Sequence, residues 1–269
     1  MNKFLRFYFY IFLILNITFV SAKTLMIEGT GDSEELLIKL SKTFKKLNPS
    51  ITIIIPRSIG SGGGIQKIID NKCKLCRTAR NLKAGEKNKG LKQIIFAYSP
   101  IVFAVNNNTI KENLAQQNII DIFSGKIIKF DDIDKCNASG KIYVIRRESG
   151  DSSLNILENT FKEFKNIKKY AGKITYSNSD TKNYLLKYKN TIGYLPLPNI
   201  INTKLKILNI NNIAPTKENI LNSKYKLVTP FGLVYKGDLE GIEKRFVQFL
   251  KTKVAKNIMQ NFGVVSTFQ

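Results

Sequence analysis

Apolar runs alternate with helix-spaced apolar positions over the first third of the chain. The run at 25–27 ends in a polar loop, after which apolar residues recur at helical spacing until Asn48-Pro49, a pair that terminates helices. The β-branched run at 51–55 is typical of a buried parallel strand, and a Gly-rich stretch then leads into a second helix-spaced segment at 65–69. Strand, loop and helix therefore occur twice in succession, which predicts an α/β lobe with a parallel sheet.

The rest of the chain continues this alternation with shorter elements. A strand is predicted over 96–105, broken at Ser99-Pro100, and a short helix with its C-cap over 119–126. A strand at 142–145 leads through a polar loop into a helix that begins near Leu154. The pattern also predicts short strands at 174–176, 192–194, 205–209 and 228–235, and a final amphipathic helix from about 242 to 262.

The first 22 residues have the three parts of a secretory signal peptide. Lys3 and Arg6 form a basic start, residues 7–20 are mostly apolar, and compact residues at 20 and 22 suit a signal peptidase. The apolar run has about 14 residues, whereas a membrane-spanning helix needs roughly 20. We therefore expect cleavage after Ala22 and export to the periplasm, the alternative being a retained membrane anchor.

The chain is strongly basic, with 43 Lys and Arg against 20 Asp and Glu and a formal net charge of +23. Removing the signal peptide takes away Lys3 and Arg6 and lowers that charge to +21. The lysines are dispersed, and no stretch is rich in both arginine and aromatic residues, so we expect no nucleic-acid partner. A positive field raises the association rate of an anionic ligand. The charge is therefore compatible with capture of an anion.

Cys73, Cys76 and Cys136 are the three cysteines, and the first two have CxxC spacing. A zinc site normally needs four ligands, but the chain has no histidine and no second CxxC, so no metal site is predicted. Export permits a disulfide. A structural disulfide and free thiols both remain open from the sequence.

Three polar loops, at 29–33, 58–64 and 147–153, each lie between a predicted strand and a predicted helix. Ligands of open α/β sheets bind beyond the carboxyl ends of the strands, where helix N-termini present free N–H groups to anions. Glycines allow close approach of the backbone, and Ser and Thr hydroxyls add donors. Arg147 is the expected bidentate partner of the ligand oxygens. The alternative is that the loops only cap helices, with Ser33 and Ser152 as ordinary caps.

Catalytic motifs are missing from these loops. Ser61-Gly62-Gly63-Gly64 lacks the Lys-Ser/Thr pair of a P-loop, and no GxGxxG follows the first strand. The sequence offers no histidine as a general base and no S-x-x-K at Ser61 or Ser152. We therefore expect a binding protein without a cofactor, and not an enzyme.

Taken in order, these segments resemble the periplasmic phosphate-binding proteins of ABC importers, which have the type II periplasmic binding-protein fold. Residues 59–64 resemble the family's Gly-Ser-Ser-Gly-Gly signature, and 147–153 resemble its Arg-x-x-Gly-Ser-Gly-Thr loop. The matching segments further along the chain are 121–127 (Ile-Phe-x-Gly-Lys-Ile), 130–133, 191–194 (Ala-Ile-Gly-Tyr), 225–235 and the last helix up to Gly263. The resemblance covers most of the chain beyond residue 22.

The resemblance implies two α/β lobes, each a mostly parallel sheet flanked by helices, with the ligand cleft between them. Lobe 1 would comprise 23–104 and 221–269, lobe 2 would comprise 105–220, and the two chain crossings would act as a hinge. The implied partners are phosphate or a similar oxyanion and the permease subunits of an ABC importer, and the protein is expected to be monomeric. The implied binding residues are Thr30, Asp32, Ser33, Ser61, Gly62, Arg147, Asp151, Ser152 and Ser153.

Two departures from the family pattern affect ligand selection. The family usually has an Asp, which accepts a proton of hydrogen phosphate, where this chain has Ala79, and it has a Ser where this chain has Asp151. Asp151 either replaces the missing acceptor or merely caps the following helix. Near Ala79, Arg77 and Arg80 either add positive potential or are solvated surface residues.

Other functions stay open from the sequence. The bound oxyanion could be sulfate, molybdate or tungstate, because the acceptor has moved. A sensory or adhesive surface module could use the same fold without transport.

Overall fold

The computed structural model describes residues 23–106, 110, 112–134 and 136–268. The predicted signal peptide lies outside these residues. None of the helices they form is long and apolar enough to cross a membrane.

The first part of the chain forms the predicted strand–loop–helix repeats. Its elements are β1 (Lys23–Gly29), α1 (Glu34–Leu47), β2 (Ile51–Ile54), α2 (Gly60–Ile69), β3 (Leu75–Thr78), α3 (Ala84–Lys87), β4 (Leu91–Val105), β5 (Asn113–Leu114) and α4 (Gln116–Ser124). α1 forms where predicted because its apolar positions are buried on one face, acidic residues occupy its first turn and basic residues its last. Gly125 ends α4 with a φ of 79°, as expected of a glycine C-cap.

The second part consists of shorter elements. They are β6 (Tyr143–Arg147), α5 (Ser152–Thr160), α6 (Lys162–Lys165), β7 (Lys173–Thr175), α7 (Asn178–Lys187), β8 (Thr191–Pro196), β9 (Lys206–Ile207), β10 (Asn209–Ile210), α8 (Lys217–Leu221), β11 (Val228–Lys236), α9 (Gly241–Leu250), α10 (Lys253–Asn261) and β12 (Val265–Ser266), with 3₁₀ turns at Phe130–Asp132 and Leu197–Asn199.

Two predicted elements are each divided in the structure. The final helix is α9 and α10, because the Thr252 side chain accepts a hydrogen bond from the Ala255 N–H (3.3 Å) and starts a new helix. The predicted strand at 205–209 is the pair β9 and β10. These two strands join different sheets, since β9 pairs with β4 and β10 pairs with β5.

A ten-stranded mixed sheet organises the fold, in the order β2-β1-β3-β11-β4-β8-β6-β7, with β9 and β12 also paired to β4. β2, β1 and β3 are parallel at one end, and β8, β6 and β7 are parallel at the other. β4 and β11 are antiparallel to each other in the middle. The α/β fold class predicted from the sequence is confirmed.

The apolar core has two large clusters along this sheet. One uses side chains from 25–97 and 231–264, including Phe44 packed edge-on against Phe246 (5.5 Å between ring centroids). The other uses side chains from 101–228 together with Val265. The 15-residue strand β4 contributes to both clusters, with Phe96 in the first and Phe103 in the second. Its first part pairs with β11 and its end pairs with β8.

Candidate functional site

The first and third predicted loops follow β1 and β6, and each precedes a helix, as expected. The second loop leads directly into α2, so that Ser61 and Gly62 lie in the first turn of that helix. α2 packs closely on β1, because a Cβ added to Gly64 would lie 2.9 Å from the Cα of Gly29. These glycines therefore let the first two loops approach each other.

Arg147 is the last residue of β6 and the first of the third loop, and it is almost fully buried. Its Nη1 lies 3.2 Å from Asp151 Oδ2, and its backbone N–H donates to the hydroxyl of Tyr194 (3.1 Å). Nε and Nη2 donate to the two carboxylate oxygens of Glu148, at 2.9 and 3.0 Å. The two Arg147 donors that were expected to bind the ligand therefore bind Glu148 in this structure.

Asn178, at the start of α7, joins the first and third loops. Its Oδ1 accepts a hydrogen bond from Arg147 Nη1, and its Nδ2 donates to Asp32 Oδ1 at 2.8 Å. The side chains of Asp32, Arg147 and Asp151 consequently form one buried network. Sequence reasoning missed Asn178, although its place between a strand and a helix, next to the cap Ser177, is the same signal that identified the other loops.

Several predicted site residues have polar atoms without a partner. Among the described residues, four buried side-chain polar atoms make no hydrogen bond, and three of them are Ser33 Oγ, Ser153 Oγ and Asp32 Oδ2. Buried polar groups are nearly always paired, so each unpaired one needs an explanation, and a bound ligand would supply partners for these three. Ser33 precedes α1 but makes no capping hydrogen bond, so the capping interpretation fails there.

Asp151, and not Ser152, caps α5. Its Oδ1 accepts from the backbone N–H of Leu154 at 3.0 Å, while Ser152 is the first residue of the helix. Burial raises the pKa of Asp151 to about 7, with the Arg147 cation opposing that effect and the Asp32 carboxylate adding to it. Burial likewise raises the pKa of Asp32, against the hydrogen bond from Asn178.

Thr30 and Ser61 are buried, and their hydroxyl oxygens accept hydrogen bonds from backbone N–H groups of the protein. Thr30 Oγ1 accepts from the backbone N–H of Asp32 (3.3 Å), and Ser61 Oγ accepts from that of Ala79 (3.0 Å). Gly62 is exposed. Of the predicted site residues, the structure thus links Arg147 directly to Asp151 and, through Asn178, to Asp32, while Ser61 contacts the strand-end segment at Ala79.

Arg77 is a structural residue beneath the first loop. Of the two alternatives that the sequence left open for it, burial excludes a solvated surface residue, because the side chain is fully buried. Its Nε donates to the carbonyl of Thr30 (2.6 Å), and its Nη2 donates to the carbonyl of Pro56 (2.6 Å) and to Glu34 Oε2 (3.1 Å). A further donation goes from Nη1 to the carbonyl of Ile27. Arg77 thereby fixes the first loop against the segment before α2.

Arg80 is half-buried and pairs with both carboxylate oxygens of Glu86, at 2.8 and 2.7 Å.

The cysteines are free thiols. Burial raises the pKa of Cys73 to about 11, so its thiolate is scarce at neutral pH, which disfavours redox chemistry. No cluster of His, Cys, Asp or Glu within the described ranges could hold a metal ion.

The mixed sheet, the helix-bearing loops at its strand ends and the buried arginine network define a periplasmic-binding-protein-like fold. The chain belongs to the PBP superfamily, whose domain model matches residues 20–253.

Three relatives cover nearly all of the chain. The phosphate-binding protein PstS of Borreliella burgdorferi is 24% identical over 251 residues, which are 90% of this chain and 89% of that protein. The phosphate-binding protein PstS of Bacillus subtilis is 23% identical over 247 residues, 90% of this chain and 80% of that one. A solved structure from Clostridium perfringens, described as a phosphate ABC transporter substrate-binding protein with bound phosphate, has a TM-score of 0.78 at 24% identity and covers 91% of this chain and 100% of its own. These relatives carry the names of binding proteins, and the solved structure shares the fold.

Proposed function

We propose that this protein captures inorganic phosphate between its first and third loops and delivers it to the permease of an ABC importer. The observation that carries the proposal is the pair of buried, unpaired hydroxyls of Ser33 and Ser153 on two loops that the Arg147–Asn178–Asp32 network joins. Two hydroxyl donors, a guanidinium and the backbone N–H groups at the starts of α1 and α5 suit a tetrahedral oxyanion. The names of the relatives point to phosphate among such anions.

In this proposal the anion competes with Glu148 for Arg147. The carboxylate of Glu148 holds the guanidinium in the bidentate geometry that a phosphate would use, and it is itself partly exposed. A phosphate that displaces Glu148 would place its oxygens on Nε and Nη2, and the released carboxylate could be solvated at the protein surface. Capture would then need no covalent chemistry.

We also infer that two lobes, 23–104 with 221–269 and 105–220, close over the ligand by a hinge motion. The two apolar clusters support this division, because the chain passes from one cluster to the other within β4 and returns to the first near the start of β11. In the structure the lobes contact each other at the start of α1, where Asp32 meets Asn178 and Glu35 pairs with Lys182. A polar cavity of about 710 Å³, lined in part by Gly31 and Asn178, adjoins this contact and offers a route for the ligand.

The export and partner assignments belong to the same proposal. Cleavage after Ala22 would release a monomeric periplasmic protein that begins at Lys23, and N-terminal sequencing of the exported protein tests that site. Co-purification with permease subunits in the presence of phosphate tests the partner.

Calorimetric titration of the ligand-stripped mature protein with phosphate, sulfate and molybdate tests the ligand. We expect saturable binding of phosphate and much weaker binding of the other two. Folded protein that gives no phosphate signal would refute the proposal, and a stronger sulfate or molybdate signal would reassign the site to that anion.

A further inference from the structure

The two buried carboxylates of the site differ in what their oxygens contact. Asp151 uses both, since Oδ1 accepts from the Leu154 N–H at 3.0 Å and Oδ2 lies 3.2 Å from Arg147 Nη1. Asp32 uses one, since Oδ1 accepts from Asn178 Nδ2 at 2.8 Å while the buried Oδ2 has no partner among the described residues. The free acceptor of the site therefore belongs to Asp32.

We propose that Asp32, and not Asp151, accepts the hydrogen bond from the protonated oxygen of the bound phosphate, and that Asn178 holds Asp32 in the orientation required. This inference rests on the proposed function and assigns selectivity within it. It also places the acceptor in the first loop, and not at the position of Ala79, where the family usually has its acceptor Asp.

The chemistry of the two anions explains why this acceptor selects between them. An ionised carboxylate can only accept hydrogen bonds, so it is satisfied by an oxyanion that carries a proton, such as hydrogen phosphate. Sulfate carries no proton at neutral pH, and it would place a bare oxygen against the bare Oδ2 of Asp32. A buried acceptor left unpaired is costly, which gives large discrimination against a ligand that lacks the matching group.

The groups that face Asp32 decide its charge. They are the Arg147 cation, the Glu148 and Asp151 carboxylates, the Asn178 amide and the Thr30 hydroxyl. Burial raises the pKa of Asp32, while Asn178 and Arg147 favour the ionised form. Acidification should therefore protonate Asp32, turn Oδ2 into a donor and relax the exclusion of sulfate.

Asn178 is a positioning residue in this arrangement. Its amide nitrogen donates to Asp32, and its amide oxygen accepts from Arg147. Because one end of the amide faces a carboxylate and the other a guanidinium, the amide cannot reverse without losing both hydrogen bonds. One carboxylate oxygen of Asp32 is thus held by Asn178, and the other stays free.

The decisive test is the ratio of phosphate to sulfate affinity in Asp32→Asn and in its matched control Asp151→Asn, measured by calorimetry at a pH slightly above neutral. In Asp32→Asn the amide oxygen can still accept from Asn178, so the amide nitrogen points at the ligand and donates. We expect phosphate affinity to fall roughly 10- to 100-fold and sulfate affinity to rise, because a hydrogen bond to a charged group is lost for one anion and gained for the other. Asp151→Asn should weaken both anions together and leave their ratio within about threefold of wild type.

An unchanged ratio in Asp32→Asn would overturn the inference, and so would a ratio that collapses in Asp151→Asn alone. If Asp32→Asn does not fold, the Asp151→Asn protein supplies the test, because Asp151 no longer titrates in it. Sulfate binding should appear in that variant on acidification, and its absence down to the lowest pH at which the variant stays folded would overturn the inference. Failure of the wild-type protein to bind phosphate at all would instead refute the proposed function.

Discussion

Arg77→Met should cost this protein a large part of its stability, because Arg77 is a fully buried cation that donates four hydrogen bonds. The variant leaves the carbonyls of Ile27, Thr30 and Pro56 without their donor and Glu34 without its partner. Breaking a buried ion pair by removing one partner typically costs about 3–5 kcal/mol. We expect a loss in that range. It is a sizeable part of the roughly 5–15 kcal/mol that holds a folded protein together.

The assay is urea unfolding of the mature protein followed by circular dichroism, because the chain contains no tryptophan to report by fluorescence. Arg80→Met is the matched control. Arg80 pairs with Glu86 but is half-exposed, so its loss should cost no more than about 1 kcal/mol. Equal losses in the two variants, or a loss below about 1 kcal/mol for Arg77→Met, would refute the account of Arg77 as the residue that fixes the first loop.

Two further predictions follow from the network around Arg147. Glu148→Gln should raise phosphate affinity several-fold, because a neutral amide competes less well than a carboxylate for the guanidinium; titration calorimetry checks this, and weaker binding would contradict it. The ligand-free protein should become less stable as pH rises from about 4 to about 7. The pKa of Asp151 is about 7 in the folded state and 3.8 ordinarily, so the folded state binds the proton of this carboxyl more tightly than the unfolded state does. The slope from this one group is at most about 1.4 kcal/mol per pH unit, and thermal unfolding of Asp151→Asn beside wild type should show it reduced; identical pH profiles would contradict it.

The order of strands, loops and helices was predictable because each signal is local. The β-branched run of β2, the helical spacing in α1 and the glycine that ends α4 all act within a few residues. The fold class followed from that order. The division of the last helix was missed because the cap of Thr252 interrupts a pattern whose apolar spacing continues on both sides.

The candidate site was only partly predictable. The sequence identifies the loops that bear Asp32, Arg147 and Asp151, but it cannot tell which oxygens remain free, since that depends on partners elsewhere in the chain. Asn178 lies 146 residues from Asp32, and their contact is a product of tertiary structure. The role of Arg77 stayed open for a related reason, because arginine is usually exposed and only three-dimensional packing supplies the carbonyls that allow it to be buried.

The claim that the buried loop hydroxyls bind phosphate is tested most directly by measuring both the stability and the phosphate affinity of the Ser153→Ala variant. The hydroxyl of Ser153 is buried and makes no hydrogen bond within the protein, so its removal should leave the free energy of unfolding of the ligand-free protein unchanged or slightly raised. If that hydroxyl serves the ligand, phosphate affinity should fall about tenfold. A variant that loses stability but binds phosphate as wild type does would contradict the assignment of Ser153 to the binding site.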